Sequence, residues 1–349
     1  MTMTPLYPGL PGRVTELIQS SMFSEFATVS AQGIPIDTPA FSFLDFERGS
    51  IDIATGLSYP AKAERARRNP KVGLLIEGLP DEPMISIAAL AAVRDADIQA
   101  NVDRYVAETI AYFDAYSYGT PWALARQSVW YWARIFVCCQ PQRILWWSSP
   151  AHMDAPPLRW DAPAETSFPP SDPAPAGPAS SPPVWPTRPW RERAGEVLSL
   201  GVHAHLTTID TEGFPLPLRA RSVTLEDAGF SLGLPSGVPW PIRGKASLSF
   251  AGAATFIGEV RSAHGGAVFF AVERILPTLP TVADPRELWS PSHSTRNAFM
   301  GRLAAELQRR RLGLPQVCEQ PPTPTRGSLL RAGRIARLTS DTKLKQGAN

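Results

Sequence analysis

The segment Thr55-Gly56-Leu57-Ser58-Tyr59-Pro60-Ala61-Lys62 has the residue order of a strand end, a glycine-bearing turn and a helix start. A helix N-terminus presents free backbone N–H groups and a positive partial charge, which together favour an anion. Cations are normally unfavourable there. Yet the expected helix, Pro60 through Arg68, carries Lys62, Arg65, Arg67 and Arg68 against one acid, Glu64. Proline suits its first turn, Ser58 is a candidate cap, and Asn69-Pro70 ends it. A lysine in the first turn asks for an anionic partner such as a phosphate. The plainer alternative is a solvated basic face at a cost of a few tenths of a kcal/mol.

Other residues could do chemistry. His203-Ala204-His205 puts two imidazoles on one strand face, able to ligate a metal or haem, but no third ligand stands at a diagnostic spacing, which favours structural or surface histidines. Gly229-Phe230-Ser231-Leu232-Gly233 spells a hydrolase elbow, G-x-S-x-G, which requires strand, sharp turn and helix. Here Ser231 falls inside an expected strand with prolines after it, so a hydrolase is not expected. Arg219 and Arg221 lie two apart on an expected strand and so share a face, from which they could reach an anion. Solvated edge charges are the alternative.

The elements that must position these groups come twice. Residues 24–55 and 204–235 align without a gap at an offset of 180, sharing Thr28/Thr208, Gly33/Gly213, Pro35/Pro215, Ala40/Ala220, Ser42/Ser222 and Gly49/Gly229. Average composition gives about two identities by chance. Lys71 to Ile76 then overlays Lys245 to Phe250 at an offset of 174. The missing piece is the basic helix, since the prolines of 236–244 forbid one. Glu273-Arg274-Ile275-Leu276 matches Gln142-Arg143-Ile144-Leu145, while an amphipathic helix expected over 95–112 has no counterpart. So long a period means two related domains facing each other like the halves of a dimer, not a solenoid. The expected units are 1–149, a linker at 150–190 with thirteen prolines, a degenerate second copy at 191–285, and a closing helix with a basic tail at 286–349. Trp160, Trp185 and Trp190 suggest that parts of the linker dock. The tail, with six basic residues to one acid from Arg326 on, reads as a solvated segment rather than a nucleic-acid arm.

Bulk numbers bound the rest. At 349 residues with 44% hydrophobic content, each half can bury a core. A net charge of +2 argues for neither nucleic acid nor membrane. Cys138, Cys139 and Cys318 make no disulfide framework, and the first residues carry no basic-then-apolar signal, so a cytoplasmic location is expected. The longest apolar run, Met84 to Val93, is too short to span a bilayer.

Three stretches of the first copy resemble the pyridoxamine 5′-phosphate oxidase-like FMN-binding split β-barrels: FATVSAQGIPIDTPAFSF at 26–43, IDIATGLSYPAKAERARRNPKVGLLI at 51–76 and WARIFVCCQPQRILWW at 132–147. The resemblance implies a mainly β fold with accessory helices, in which two six-stranded barrels pack as an intrachain pseudo-dimer with flavin in the groove between them. It puts Lys62 on the cofactor phosphate and Thr55 and Gly56 against the ring, with Ser58, Tyr59 and Arg65 beside them. Thr38 stands where the vitamin B6 oxidases have a phosphate-binding arginine, and Pro60-Ala61 replaces their Ser-Arg, so B6 oxidation is not expected. The resemblance implies an FMN-dependent oxidoreductase with one flavin site per chain, acting on a small molecule with a possible nicotinamide donor. Arg219 and Arg221 would reach the anion from the second copy, and Trp146-Trp147 could flank the flavin or simply pack. A non-catalytic flavin, deazaflavin F420 or haem protein is the alternative. No metal site is expected, and a further homodimer stays open.

Overall fold

The computed structural model describes residues 7–117, 119–179, 188–262, 268–277, 289–290 and 294–346, with side chains through Leu338. After α1 (Gly12–Ser20) come β1 (Phe23–Val29), β2 (Pro35–Asp45), β3 (Ser50–Gly56), α2 (Ala61–Arg68), β4 (Lys71–Glu77), β5 (Met84–Arg94) and α3 (Ile98–Thr109). Three one-turn helices follow, α4 (Asp114–Ser117), α5 (Trp122–Ala125) and α6 (Val129–Trp132), then the long strand β6 (Arg134–Trp147). The strand order β3-β2-β1-β4-β5-β6 closes through a β3–β6 pairing into a six-stranded antiparallel barrel. Phe26, Phe43, Ile51, Ile53, Leu74, Ile87 and Phe136 fill it.

The linker docks. Its strand β7 (Leu158–Asp161) adds to β6, and Trp160 packs edge-on against Tyr7 while donating to the carbonyl of Pro8. The Asp172 carboxylate accepts from the backbone N–H groups of Asp95 and Ala96 at the end of β5. Trp185 lies outside the described residues.

The second unit contains α7 (Trp190–Ser199), β8 (His205–Ile209), β9 (Pro215–Arg219), β10 (Ser222–Glu226), β11 (Gly229–Gly233), β12 (Gly244–Phe250), β13 (Ala254–Ser262) and β14 (Val268–Ile275). Its sheet runs β10-β11-β14-β13-β12-β8-β9. That is the first barrel's order with the counterpart of β2 divided into β9 and β10. Ala220 donates to the carbonyl of Ala204 beside β8, and Arg221 donates to that of Gly233 on β11, so the chain changes partners at this junction. Arg219 and Arg221 therefore stand on either side of a break, correcting the expectation of one strand face.

Registers confirm the duplication residue by residue. Thr28 faces Ile36 and Thr208 faces Leu216; Phe26 faces Leu74 and Leu206 faces Leu248. A bulge interrupts the pairing of the fifth and sixth strands in both units, at Ala88/Ala89 and at Ile257/Gly258. The first hairpin is built alike in each. Ser30 Oγ accepts from the N–H groups of Gln32 and Ile34, Asp210 Oδ1 from those of Glu212 and Phe214. Gly33 and Gly213 take φ of 75° and 88°, a region open to glycine at little cost. No helix lies between β11 and β12.

The two units clasp each other. An apolar layer of Leu75, Met84, Ala88, Leu145 and Trp147 from the first barrel meets Phe214, Leu216, Leu218 and Trp240 from the second. This layer covers outer barrel faces, which is why the strands do not alternate cleanly between apolar and polar. Gly73 on β4 lies so close to β9 that a Cβ there would stand 1.6 Å from the carbonyl oxygen of Pro215.

Two further helices, α8 (Ser294–Arg310) and α9 (Arg326–Gln346), return to the first barrel. The basic tail is therefore not simply solvated. Arg331, 1% exposed, pairs with Glu108 and lies 4.7 Å above the Phe43 ring, and Arg334 pairs with Glu82. These two cations have carboxylate partners on the first unit, which composition could not reveal. Among the described residues no helix is long and apolar enough to cross a membrane.

Candidate functional site

The strand end, turn and helix start expected at 55–62 are present as β3, a turn and α2. Pro60 takes the cap position and no side chain caps the helix. Ser58 does not cap it: its hydroxyl is buried without a partner. The helix start thus keeps its free N–H groups and positive end.

Lys62 sits in that first turn, half-buried, with its ammonium donating to the carbonyl of Pro39 at 3.1 Å. An ammonium has three donors, so two are left. Burial, then the charge of Arg65, pulls its pKa down to about 8, although Glu25 and Asp37 act the other way. Arg65 donates to Thr28 Oγ1 at 2.7 Å, and burial with the neighbouring Arg68 brings its pKa down to about 10. A third cation comes from α8. Arg302 Nε donates to the carbonyl of Ser58 at 2.8 Å, its Nη2 is buried without a partner, and burial lowers its pKa. Lys62 and Arg302 stand at the positive end of α2 and Arg65 in its last turn, and burial disfavours the charged form of each.

Aromatic side chains pack beside this turn. The Tyr59 ring covers Gly56, where a Cβ would come within 2.5 Å of it. Phe299 of α8 lies against Tyr59 and stacks on Trp130, with ring centroids 4.5 Å apart. Arg134 donates to the hydroxyls of Tyr59 and Tyr105 and lies over the rings of Tyr105 and Tyr131. Thr38 Oγ1 and Thr55 Oγ1, like Ser58 Oγ, are buried without partners. The charges of α2 that do find partners, Glu64 and Arg67, pair with Arg309 of α8 and with Asp95. Cavities of about 550 Å³ beside Arg94 and Cys138 and about 290 Å³ beside Arg143 and Trp240 are lined by none of these residues.

Arg219 and Arg221 do not join the group. Arg219 donates to His203 Nε2 and faces Glu77 of the first barrel, and Arg221 pairs with Asp154 at 2.6 Å. Trp147 lies in the layer between the barrels, with its indole N–H donating to Ala155 O. Ser231 stands mid-strand on β11 between Thr224 and Phe269, so no elbow exists there.

A second polar group lies where the barrels meet. His205 on β8 has Nδ1 3.4 Å from Glu25 Oε1 and Nε2 3.1 Å from Glu77 Oε1. Burial works against its protonation, but Glu25 and Glu77 bring its pKa up to about 10. Burial would likewise raise Glu77, yet His203, His205 and Arg219 hold it well below the usual carboxylate range. Asp37 is pushed well above that range by burial and by Glu25. Sequence reading found the histidines but not these carboxylates. They come from the other copy, so no spacing along the chain could place them beside His205. Arg302 on α8 and Arg134 on β6 were missed because each is distant from Lys62 along the chain.

A closed six-stranded barrel with this order, paired face to face with a second copy, decides the architecture. The fold is the pyridoxamine 5′-phosphate oxidase-like split β-barrel. Among solved structures, such a split barrel from Listeria innocua, described as a putative pyridoxamine 5′-phosphate oxidase, is 18% identical, with 39% of this chain and 97% of that chain covered at a TM-score of 0.29. A conserved hypothetical protein of Mycobacterium tuberculosis is 18% identical, with 48% and 100% covered at 0.33. A pyridoxamine 5′-phosphate oxidase-related, FMN-binding protein of Nostoc punctiforme is 14% identical, with 42% and 84% covered at 0.30. No family model and no curated protein matches the chain. The strand order and registers, rather than these scores, carry the assignment of the split barrel.

Proposed function

We propose that the start of α2 holds the phosphate of an FMN-type flavin, one per chain, and that the protein is a flavin-dependent oxidoreductase acting on a small molecule. One observation carries this reading: Lys62 and Arg302 meet at an uncapped helix start, with Arg65 one turn further along, and the charged form of each is disfavoured. A phosphate would relieve all three and use the free N–H groups. The residues present fit such a group, because the hydroxyls of Thr38, Thr55 and Ser58 and the Arg302 Nη2 are buried donors in want of acceptors. Lys62 would supply the ammonium that meets the phosphate, and Arg65 and Arg302 the flanking charge. A bound flavin supplies the redox chemistry, so no side-chain nucleophile is needed. F420 offers a phosphate of the same kind. The haem alternative has less support, since His203 and His205 are both engaged with carboxylates.

The test is a visible spectrum of the purified chain followed by FMN titration of wild type and Lys62→Ala. Removing a charge-assisted bond costs about 1.5–3 kcal/mol, a roughly 10- to 150-fold weakening. Equal affinity in both proteins, or no flavin binding by wild type, would refute the assignment. Oxidation of a nicotinamide donor by the loaded protein then separates an enzyme from a binder.

A further inference from the structure

We propose that Glu25, Asp37 and His205 form a binding site for one divalent first-row transition-metal ion at the seam between the two barrels. One ligand atom from each residue lies within 4.8 Å of the others. Ligands at about 2.1 Å from a common ion stand roughly 3–3.5 Å apart, so small side-chain rotations complete the site. Glu25 and Asp37 come from β1 and β2 of the first barrel and His205 from β8 of the second. Neither barrel alone carries the set.

The three ligand groups are buried and short of hydrogen-bond donors. Asp37 is 0% exposed, His205 2% and Glu25 7%. Neither carboxylate oxygen of Asp37 nor Glu25 Oε2 has a well-aligned hydrogen bond, although the Glu25 carboxyl and the Thr207 hydroxyl lie close enough to act on Asp37. Thr255 Oγ1 donates to the main-chain oxygen of Asp37 and not to its carboxylate. A desolvated carboxylate without donors is costly, and two side by side repel each other as well. The surrounding cations do not remedy this. His203 and Arg219 are directed at Glu77. Lys62 gives a hydrogen bond to Pro39 O. His205 can contribute at most one positive charge, and burial beside Glu25 favours a proton on Asp37, which a cation held between the two carboxylates would replace. A dication bound to both carboxylates and a neutral imidazole would bring the group to neutrality.

The donor chemistry narrows the ion. Two carboxylate oxygens and one imidazole nitrogen suit Zn²⁺, Mn²⁺ or Fe²⁺ and give no thiolate for softer ions. The outer contact is also of the expected kind. Glu77 lies at Nε2 of His205, on the far side of the ring from Glu25, where a carboxylate would fix the tautomer with its Nδ1 lone pair toward the ion. Glu25 and His205 hold the same position in the two copies, 180 residues apart. The ion would therefore bind across the pseudo-two-fold seam and staple one barrel to the other. This proposal is independent of the flavin reading.

The test uses the full chain, stripped with a chelator and titrated calorimetrically with Zn²⁺ and with Mn²⁺, alongside elemental analysis of the protein as isolated. Expected are one ion per chain, a rise in thermal midpoint at saturation, and affinity about 100-fold or more weaker in Asp37→Asn and in His205→Gln. His203→Ala should bind as wild type does. Should either ligand variant fail to fold, Co²⁺ loading of wild type decides: d–d bands of an imidazole-ligated ion support the site, and their absence overturns it. No stoichiometric binding of Zn²⁺ or Mn²⁺, or binding retained in both ligand variants, would likewise overturn it. So would an Asp37→Asn chain of higher thermal midpoint with no metal response in wild type, which marks a cluster held by a shared proton.

Discussion

Gly73→Ala tests the clasp between the barrels with one methyl group. Gly73 lies mid-strand on β4, paired with Ala27 on one side and Ala88 on the other, so its backbone cannot retreat without disturbing two ladders. The added Cβ would stand 1.6 Å from the Pro215 carbonyl oxygen and 2.8 Å from its carbon, where about 3.0 Å is the shortest contact that real Cβ atoms show. The barrels would have to part by roughly 1.4 Å at this point. Pro215 belongs to β9, itself held to β8 through Ile209, so the movement must be shared with the apolar layer around Phe214 and Leu216. Overpacking of this kind costs about 1–3 kcal/mol, and the upper end is expected because both clashing atoms belong to backbone. The measurement is urea unfolding of wild type and variant, with amide exchange read on β4 and β9. Protection should fall in both strands, although they lie in different units. Gly301→Ala on α8, where a Cβ meets nothing within 4 Å, is the control and should be neutral or stabilising by up to about 1 kcal/mol. Stability of Gly73→Ala within about 0.5 kcal/mol of wild type, with β9 exchange unchanged, would mean that β4 and β9 are not in contact at Gly73.

Three further outcomes follow from charge. Lys62 has a pKa near 8 in the folded chain, below its ordinary 10.5, because burial and Arg65 disfavour the cation while Glu25 and Asp37 partly restore it. Phosphate-type ligands require the protonated form, so FMN affinity should be full below pH 8 and fall as pH rises through it, with the Lys62→Ala profile flat over that window. The same shift predicts that the penalty on folding from this buried cation is present below about pH 8 and is relieved between 8 and 10.5, since the unfolded chain holds the extra proton there. Arg331→Ala leaves Glu108 without its buried partner and should cost about 3–5 kcal/mol by urea unfolding. A loss under 1 kcal/mol would mean that α9 contributes little to the first barrel.

Much of the fold could be read from spacing, because a duplication preserves register. Thr28/Thr208 and Ser42/Ser222 were aligned as letters, and the ladders place them at equivalent points of two sheets. Gly33 and Gly213 marked the same hairpin through a backbone requirement that no other residue meets as easily. The loss of the basic helix in the second copy was visible because proline cannot continue a helix. The division of β2's counterpart was not visible. Arg219 and Arg221 have the alternation of one strand, and the change of partners between them, from β8 to β11, leaves no mark on residue spacing. Ser58 shows a related limit: its type suits a cap, but Pro60 takes that place. The tail misled because Arg326 to Gln346 carries six basic residues to one acid, and the anchoring of Arg331 depends on Glu108, more than two hundred residues earlier. Of the anion site, Lys62 and Arg65 could be found from their helix, whereas Arg302 arrives on a helix from the far end of the chain.

Covalent duplication also explains why the seam is chemically uneven. In a symmetric dimer of single barrels, a residue on the two-fold axis must face its own copy, so a carboxylate there meets a carboxylate. Joining the barrels in one chain frees each side to change. Glu25 now faces His205, its counterpart in the other copy. Lys71 crosses the seam to the carbonyl of Glu212 at 2.5 Å and lies over Phe214, while its counterpart Lys245 stays within its own barrel on Glu273. Arg143 likewise reaches Asp210 and Glu212 of the other unit. These crossings set different groups against one another and hold the two units in one register. The basic helix survives on one side of that seam and has been replaced by a proline-rich turn on the other. An asymmetric seam and a single retained basic helix are then two consequences of the same event. Each copy was released from having to serve both halves of a dimer at once.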